Sequence, residues 1–554
     1  MIEILPGFPD HGSGVFFALA TSSDLVTDAV ADKPAPEPAS MPFRVGSVAR
    51  GTVWVLGGQV VTLSASFVAA PFVIRALGPE SYGLLTLTNV LIGYLAVADM
   101  GMGVASTRFA AEAHSRGDDE GEADVVWMAL AIASAPALLL AIGLFAGAVP
   151  LVDDALRIPP HLRGAAVGAL RLTALGFLAR GVAGVFNTPQ LVRMRLDLFT
   201  AINSGTGLGQ ICLVPVVLAA GGGLRGAVVV VVGMAAANAA LHCLIACRLA
   251  PALRRPRLRP GLWRPLTRFG FALVVSALVG LALADVEKLL LPRFASAAAL
   301  GYYAAAYTLA RLLTVGSGAL SQTLLPAFSR LAGSADRGAL ADLYVSSLRV
   351  VWIGVIPMVA LFWVGGGMFL GVWAGPDFAR HGTVPLYILV VGVACNALAM
   401  IPYNLLCAAG KAGLIVRYNF TEIVPYLTTT VLLTTQFGAA GTAAAWSVRV
   451  AISLVFYVYA ARQVVLLPTR PVGGSRVGYV AAGAALFLPA VALAWYSRHF
   501  EAISALALAL AGYGGFLWAR VLDVKKRDSI LQFLRTLVAS RRGRRPGEAP
   551  EVTA

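Results

Sequence analysis

Long apolar segments alternate with short polar connections along most of the chain. A helix needs about 20 apolar residues to cross a hydrocarbon core of roughly 30 Å, and runs of that length recur here. The pattern predicts an all-α polytopic membrane protein of about fourteen transmembrane helices, with two six-helix lobes around a central cavity and two further C-terminal helices. The predicted spans lie near residues 51–74, 84–104, 125–149, 164–186, 196–219, 227–250, 269–291, 302–325, 344–363, 384–407, 413–435, 442–461, 477–496 and 503–522.

The polar breaks divide the chain into six predicted parts. The N-terminal extension is expected to be disordered, and it lacks the basic and apolar regions of a cleavable signal peptide. The basic tail has an apolar face, which predicts an amphipathic helix on anionic lipid. The parts are the extension (1–40), the first lobe (41–250), a basic cytoplasmic loop (251–268), the second lobe (269–465), the final two transmembrane helices (466–524) and the basic cytoplasmic tail (525–554).

Composition supports the membrane interpretation. Of 554 residues 58% are hydrophobic and 13% are charged, and the mean hydropathy is +0.78. The net charge of +15 resides in short connections and not on a soluble face, so no nucleic-acid partner is predicted. The excess of Lys and Arg in alternate connections places both termini in the cytoplasm. The arginine-rich, lysine-poor composition is typical of a GC-rich bacterial genome, so we expect a bacterial inner membrane.

Little in the chain indicates catalysis. The five cysteines lie in apolar segments without metal-ligand spacing, and no nucleophile or phosphate loop stands out, so neither a metal nor a cofactor is predicted. A membrane-embedded polymerase or glycosyltransferase needs a sizeable outer loop, whereas the predicted outer connections are short. We therefore predict that the protein is not an enzyme.

Similar motifs recur in the two halves of the chain. Tyr82-Gly83 follows the first predicted span, and Gly301-Tyr302-Tyr303 follows the seventh. About 26 residues beyond each motif stand Thr107-Arg108-Phe109 and Phe328-Ser329-Arg330, each of which closes a span. These matches indicate an internal duplication with parallel six-helix repeats.

Several of these strings resemble the Wzx-type polysaccharide flippases of the MOP (MATE-like) exporter superfamily. They are residues 76–85 (ALGPESYGLL), 98–103 (ADMGMG), 107–109 (TRF), 287–291 (EKLLL) and 300–303 (LGYY). The resemblance covers nearly the whole chain from Met41 to about Arg470. It implies twelve to fourteen helices in two lobes and translocation of undecaprenyl-pyrophosphate-linked oligosaccharides for O-antigen, capsule or exopolysaccharide. Ion gradients are thought to drive many members.

Charged residues within the spans are the candidate site residues, because each costs roughly 2.5 to 3.5 kcal/mol unless it is paired or faces a wet cavity. Arginine binds phosphate oxygens bidentately and stays charged when buried. We expect a cationic cavity to bind the lipid pyrophosphate, while Arg180 and Arg449 have snorkelling or carboxylate pairing as an alternative role. The cavity candidates are Arg171, Arg180, Arg311, Arg449 and Arg108.

Carboxylates in the spans are candidates for ion coupling, because a buried carboxylate can bind a proton or a sodium ion. The alternative for Asp285 is neutralisation by Lys288, three residues further along the helix. The coupling candidates are Asp99, Asp285, Glu287 and Glu422. Asn and Gln side chains either line a path for sugar hydroxyls or bond between helices: Asn187, Gln190, Asn203, Gln210, Asn238, Asn396 and Asn404.

The predicted function is flipping of a lipid-linked oligosaccharide by alternating access, with membrane lipids and a polysaccharide polymerase as candidate partners. One alternative is a MATE-like drug or cation antiporter, which predicts a cavity of carboxylates and aromatic rings. The other is a lipid II-type flippase, which shares the fold.

Overall fold

The computed structural model describes residues 45–95, 101–156, 158–332, 337–465, 484–495 and 499–516. These residues are almost entirely helical and contain no strand. The predicted disordered extension, the basic tail and Asp99 lie outside the described residues. The helices are α1 (Val45–Leu95), α2 (Met102–Ser115), α3 (Asp119–Ala146), α4 (Pro160–Phe186), α5 (Leu196–Ala219), α6 (Gly223–Leu249), α7 (Trp263–Phe294), α8 (Ala297–Ala310), α9 (Thr314–Ala332), α10 (Arg337–Ala374), α11 (Pro376–Ala408), α12 (Ala412–Val465), α13 (Leu488–Trp495) and α14 (His499–Phe516).

Two of the long helices are broken at a glycine. Gly78 in α1 has φ 69° and Gly438 in α12 has φ 56°. Residues with a side chain rarely adopt a positive φ, whereas glycine adopts it readily because it has no Cβ atom that could clash. Each break separates two of the predicted spans, so α1 contains the first span and the beginning of the second, and α12 contains the eleventh and twelfth.

Eight segments within the described residues are long and apolar enough to cross a membrane. Together with the almost entirely helical structure, they confirm the predicted all-α polytopic membrane fold. The predicted number of about fourteen helices stays a prediction. The eight segments are Val61–Gly93, Asp119–Ala146, Pro160–Val192, Leu196–Ala219, Gly223–Leu249, Arg337–Ala374, Pro376–Ala408 and Ala412–Val464.

The described residues form two compact units. The first comprises the residues up to Leu309 together with Leu370–Leu389 and Gly410–Val450. One hydrophobic core of this unit contains Met102 of α2, Val126 of α3 and Val185 of α4. The predicted lobe boundaries stay predictions.

The second unit comprises Ala310–Phe369, Val390–Ala409 and the described residues from Ala451 onward. In its core α13 and α14 pack on α10, where Ala360 and Phe487 surround Tyr513. The hydroxyl of Tyr513 donates a hydrogen bond to the carbonyl oxygen of Ile353 at 3.1 Å.

Within the first unit, the two duplicated motifs meet at a close crossing of α1 and α8. A Cβ atom at Gly83 would overlap the carbonyl oxygen of Ala297, and one at Gly301 would overlap the carbonyl oxygen of Pro79. Small residues allow helix backbones to approach this closely in membranes. We call this contact the glycine crossing.

Aromatic and polar contacts surround the glycine crossing. The rings of Tyr82 and Tyr302, one from each motif, both make edge contacts with Phe378, at centroid distances of 6.4 and 5.3 Å. The Tyr302 hydroxyl donates to Asp377 at 2.6 Å. Nearby, Trp373 stacks on Phe67. These contacts join the middle of α1, on both sides of its break, to the N-terminal halves of α8 and α11 and the C-terminal end of α10.

Alanine at the glycine crossing should destabilise the protein. We expect Gly83→Ala or Gly301→Ala to cost about 1 to 3 kcal/mol, because the new methyl group meets a backbone oxygen. Thermal unfolding in detergent micelles measures the change. The matched controls are Gly93→Ala and Gly316→Ala, where a Cβ meets nothing within 4 Å.

The controls should leave the midpoint unchanged or raise it, because alanine has the higher helix propensity. Equal midpoints for the crossing variants and the controls would contradict the close backbone contact.

Candidate functional site

A polar cavity of about 470 Å³ lies inside the first unit, between α1, α4, α5 and α6. Most of its polar side chains are neutral amides, and Arg180 carries the one permanent charge among the described residues that line it. These polar residues are Asn89, Arg180, Asn187, Asn203, Thr206, Gln210, Asn238 and His242. We call this space the amide cavity.

Helical periodicity explains how three helices supply this lining. On α5, Asn203, Thr206 and Gln210 are spaced by three and four residues and therefore share one face. On α6, Asn238 and His242 are four residues apart and share a face in the same way. Arg180 of α4 and Asn187, just after the end of α4, are seven residues or about two helical turns apart and therefore share a face.

Some lining side chains also bond between helices. The Asn238 amide donates to the Oδ1 of Asn203 at 3.2 Å and to the Thr206 hydroxyl at 2.9 Å. His242 Nδ1 lies 3.0 Å from Gln190 Oε1. Bonds between helices thus hold Asn203 and Asn238 at the cavity wall, while their predicted contact with sugar hydroxyls stays a prediction.

A buried charge cluster occupies a second place in the first unit, where α7, α8 and α12 meet. Glu287 is fully buried. It accepts hydrogen bonds from the hydroxyl groups of Tyr303 at 3.3 Å and Tyr426 at 2.9 Å. The Lys288 ammonium lies 3.8 Å from Glu287 and forms a second ion pair with Asp285. One ammonium therefore serves two carboxylates.

Another ion pair lies beside this cluster on α12. Arg449 contacts Glu422 at 3.4 Å, and its guanidinium lies 5.0 Å from the ring centroid of Tyr426. Both side chains are largely buried. Arg449 thus has a carboxylate partner, which is the alternative role that the sequence analysis gave to it.

The other predicted arginines do not line the amide cavity. Arg108 lies over the Phe269 ring at 4.6 Å and Arg171 over the Phe145 ring at 5.1 Å. Arg311 is exposed in a turn of the second unit. The structure thus places Arg180 among the amides, and brings Arg449 to Glu422.

Sequence reasoning missed several residues of both sites. Asn89 and His242 line the amide cavity, and Tyr303 and Tyr426 hold Glu287. The three- and four-residue spacing of polar positions on α5 and α6 is the signal that could have found the cavity. Tyrosine is common in apolar helices, so the sequence contains no pattern that would indicate the contacts of Tyr303 and Tyr426 with Glu287.

The apolar helices, the polar cavity and the buried charges within the bundle define a membrane transporter. The model of the family described as "Polysaccharide biosynthesis protein" matches residues 48–332. Since this match spans more than half of the chain, the protein belongs to the polysaccharide biosynthesis protein family. The predicted family is confirmed, and its members are transporters.

Two curated relatives are similar over much of the chain. A "Putative O-antigen transporter" of Shigella flexneri is 23% identical over 419 residues, which are 73% of this chain and 95% of the relative. An "Uncharacterized membrane protein EpsK" of Bacillus subtilis (strain 168) is 23% identical over 347 residues, which are 60% of this chain and 66% of the relative.

Solved structures show the same fold. The lipid II flippase MurJ in an inward closed conformation has a TM-score of 0.66 at 10% identity, covering 84% of this chain and 98% of that chain. An inward-facing multidrug resistance MATE family transporter of the MOP superfamily has a TM-score of 0.61 at 14% identity, covering 72% of this chain and 94% of that chain. The predicted MATE-like fold is thereby confirmed.

Proposed function

We propose that the protein moves an undecaprenyl-pyrophosphate-linked oligosaccharide from the cytoplasmic to the outer leaflet, for O-antigen, capsule or exopolysaccharide synthesis. The observation that carries the proposal is the composition of the amide cavity. The family and the similarity to the O-antigen transporter of Shigella flexneri support the same cargo class. Transport proceeds by alternating access of the cavity to the two membrane faces.

The chemistry of the amide cavity suits a sugar headgroup. Each asparagine or glutamine side chain offers both donors and acceptors, which match the hydroxyl groups of a sugar ring. Arg180 adds a planar cation that binds phosphate oxygens. A headgroup with neutral sugars on a diphosphate presents hydroxyl groups to the amides and phosphate oxygens to Arg180.

The drug or cation antiporter is less well supported. Recognition of an organic cation needs carboxylates and ring faces. Among the described residues lining the amide cavity, none is Asp or Glu, and Phe199 is the one Phe, Tyr or Trp. A lipid II-type cargo, which carries the same diphosphate, is distinguished in the transport experiment below.

The proposed orientation has both termini in the cytoplasm of the inner membrane. The distribution of Lys and Arg among the connections supports it, because basic residues remain on the cytoplasmic side during insertion. The cargo then enters the amide cavity from the cytoplasm. A polysaccharide polymerase that uses the product is a proposed partner.

We assign ion coupling to the pair Asp285 and Glu287. Glu422 has Arg449 beside it, whereas Asp285 and Glu287 share the single ammonium of Lys288. Binding of a proton or a sodium ion to Glu287 neutralises the remaining charge and weakens its hold on Tyr303 and Tyr426. Ion binding at α7 would thereby alter the packing of α8 and α12. Asp99 stays a coupling candidate from the sequence.

Removal of the cavity cation should slow flipping. In proteoliposomes, we expect Arg180→Ala to slow the transfer of a fluorescent polyprenyl-diphosphate oligosaccharide by about ten-fold or more, because one charged hydrogen bond contributes about 1.5 to 3 kcal/mol. A membrane-impermeant quencher reports which leaflet holds the lipid. Arg171→Ala on the same helix removes an equal charge outside the cavity and should retain near-normal rates.

Three outcomes are informative in this assay. Equal rates for Arg180→Ala and Arg171→Ala would contradict the role of the cavity. Export of organic cations without any lipid transfer would replace the proposal with the antiporter. Faster transfer of lipid II than of other polyprenyl-diphosphate oligosaccharides would assign the lipid II-type cargo.

Loss of the Glu287 charge should uncouple transport from its ion gradient. We expect wild type to flip faster under an imposed proton or sodium gradient and Glu287→Gln to flip at one rate with or without it. Gln retains the shape and a hydrogen-bond acceptor for tyrosine. The control is Glu112→Gln, which changes an exposed ion pair with Arg116. A gradient response that persists in Glu287→Gln would contradict the assignment.

A further inference from the structure

The linker between α6 and α7 is anchored against α3 at the end of the helical bundle. Its first turn, Pro251–Arg254, places Leu253 in the core with 1% of its surface exposed. The indole Nε1 of Trp127 on α3 donates to the Leu253 carbonyl oxygen at 3.1 Å. The linker is therefore held in place by α3.

A cavity of about 360 Å³ lies between this linker and the first turns of α3. We call it the linker cavity. One wall carries the carboxylates Glu120 and Asp124 of α3, and the other carries Arg254, Arg255 and Arg257. A ligand here meets negative charge on one side and positive charge on the other.

Part of this charge is already paired and part is not. Arg257 contacts Glu120 at 2.8 Å, across an exposed rim. The Asp124 Oδ1 is buried and has no hydrogen-bond partner. Arg254 and Arg255 are exposed and form no ion pair with any described residue. The unpaired groups are thus the Oδ1 atom of Asp124 and two guanidinium groups, on opposite walls.

The surroundings of the linker cavity indicate a lipid. Leu258 of the same linker and Trp263, the first residue of α7, expose 64% and 49% of their surface. Apolar and indole side chains that alternate with arginines are typical of the boundary between headgroups and acyl chains. A ligand in this position has its polar end in the cavity and its apolar end in the membrane.

We propose that the linker cavity binds the phosphoethanolamine headgroup of a membrane phospholipid. Arg254 and Arg255 bind the phosphate, and the Asp124 carboxylate accepts hydrogen bonds from the primary ammonium. Phosphatidylcholine presents a quaternary ammonium without N–H donors, and phosphatidylglycerol presents no cation. The site therefore selects the primary amine, and it is independent of the transported cargo.

Lipid retention by the full-length protein tests this proposal. The protein is purified in detergent with an equal mixture of dioleoyl phosphatidylethanolamine, phosphatidylcholine and phosphatidylglycerol, and native mass spectrometry counts the lipids retained. We expect wild type to retain phosphatidylethanolamine about five- to ten-fold over the other two lipids, since the ammonium adds charged hydrogen bonds.

Two variants separate the two walls of the linker cavity. Asp124→Asn should remove the preference for phosphatidylethanolamine while the protein still retains lipid. The double variant Arg254→Gln/Arg255→Gln should lose the retained phosphatidylethanolamine. Its control, Arg259→Gln/Arg264→Gln, removes the same charge from the linker and the first turn of α7, outside the cavity, and should behave as wild type.

Thermal unfolding midpoints of wild type and the three variants show whether each protein is folded. Equal retention of phosphatidylethanolamine and phosphatidylcholine by wild type would overturn the proposal. A preference that persists in Asp124→Asn would overturn it as well. Equal retention of phosphatidylglycerol and phosphatidylethanolamine would reduce the site to simple phosphate binding and contradict the role of Asp124.

Discussion

The absence of water from the hydrocarbon core is the constraint on which the arrangement of charged residues depends. A charged group placed there must be paired, hydrogen-bonded or exposed to a wet cavity. Glu287 satisfies this condition with two tyrosine hydroxyl groups and Lys288. Arg449 satisfies it with Glu422. Arg180 instead lies in a cavity of neutral amides.

This difference separates residues that hold the protein together from residues available to a ligand. Removal of one partner from a buried ion pair leaves an unpaired charge, so loss of Arg449 would damage the structure as well as any binding. Arg180 has no such role in the described structure, because its surroundings are the wall of the cavity. The proposed transport function therefore rests on Arg180 and the amides, and the proposed coupling rests on Glu287.

Hydropathy predicted the helical membrane fold, because a helix that crosses the hydrocarbon core needs a long run of apolar residues. It separated the spans on either side of Gly78 and Gly438 but did not show that each pair forms one helix broken at a glycine, since an apolar profile is the same for two separate helices and one broken helix. The similar motifs Tyr82-Gly83 and Gly301-Tyr302-Tyr303 were visible, but the contact at Gly83 and Gly301 depends on packing between distant segments. For the same reason, the sequence could nominate Arg449 and Glu422 but not show that they pair across a helix break.

Photo-crosslinking tests the central claim, that the amide cavity holds the sugar headgroup. A polyprenyl-diphosphate oligosaccharide with a diazirine on its sugar is irradiated with the protein in liposomes, and mass spectrometry locates the adducts. The account predicts adducts at the cavity faces of α4, α5 and α6, around Arg180, Asn203 and Asn238, which excess unlabelled lipid suppresses. Adducts confined to the exposed apolar faces of α5 and α6, at Val216 and Leu244, would contradict it.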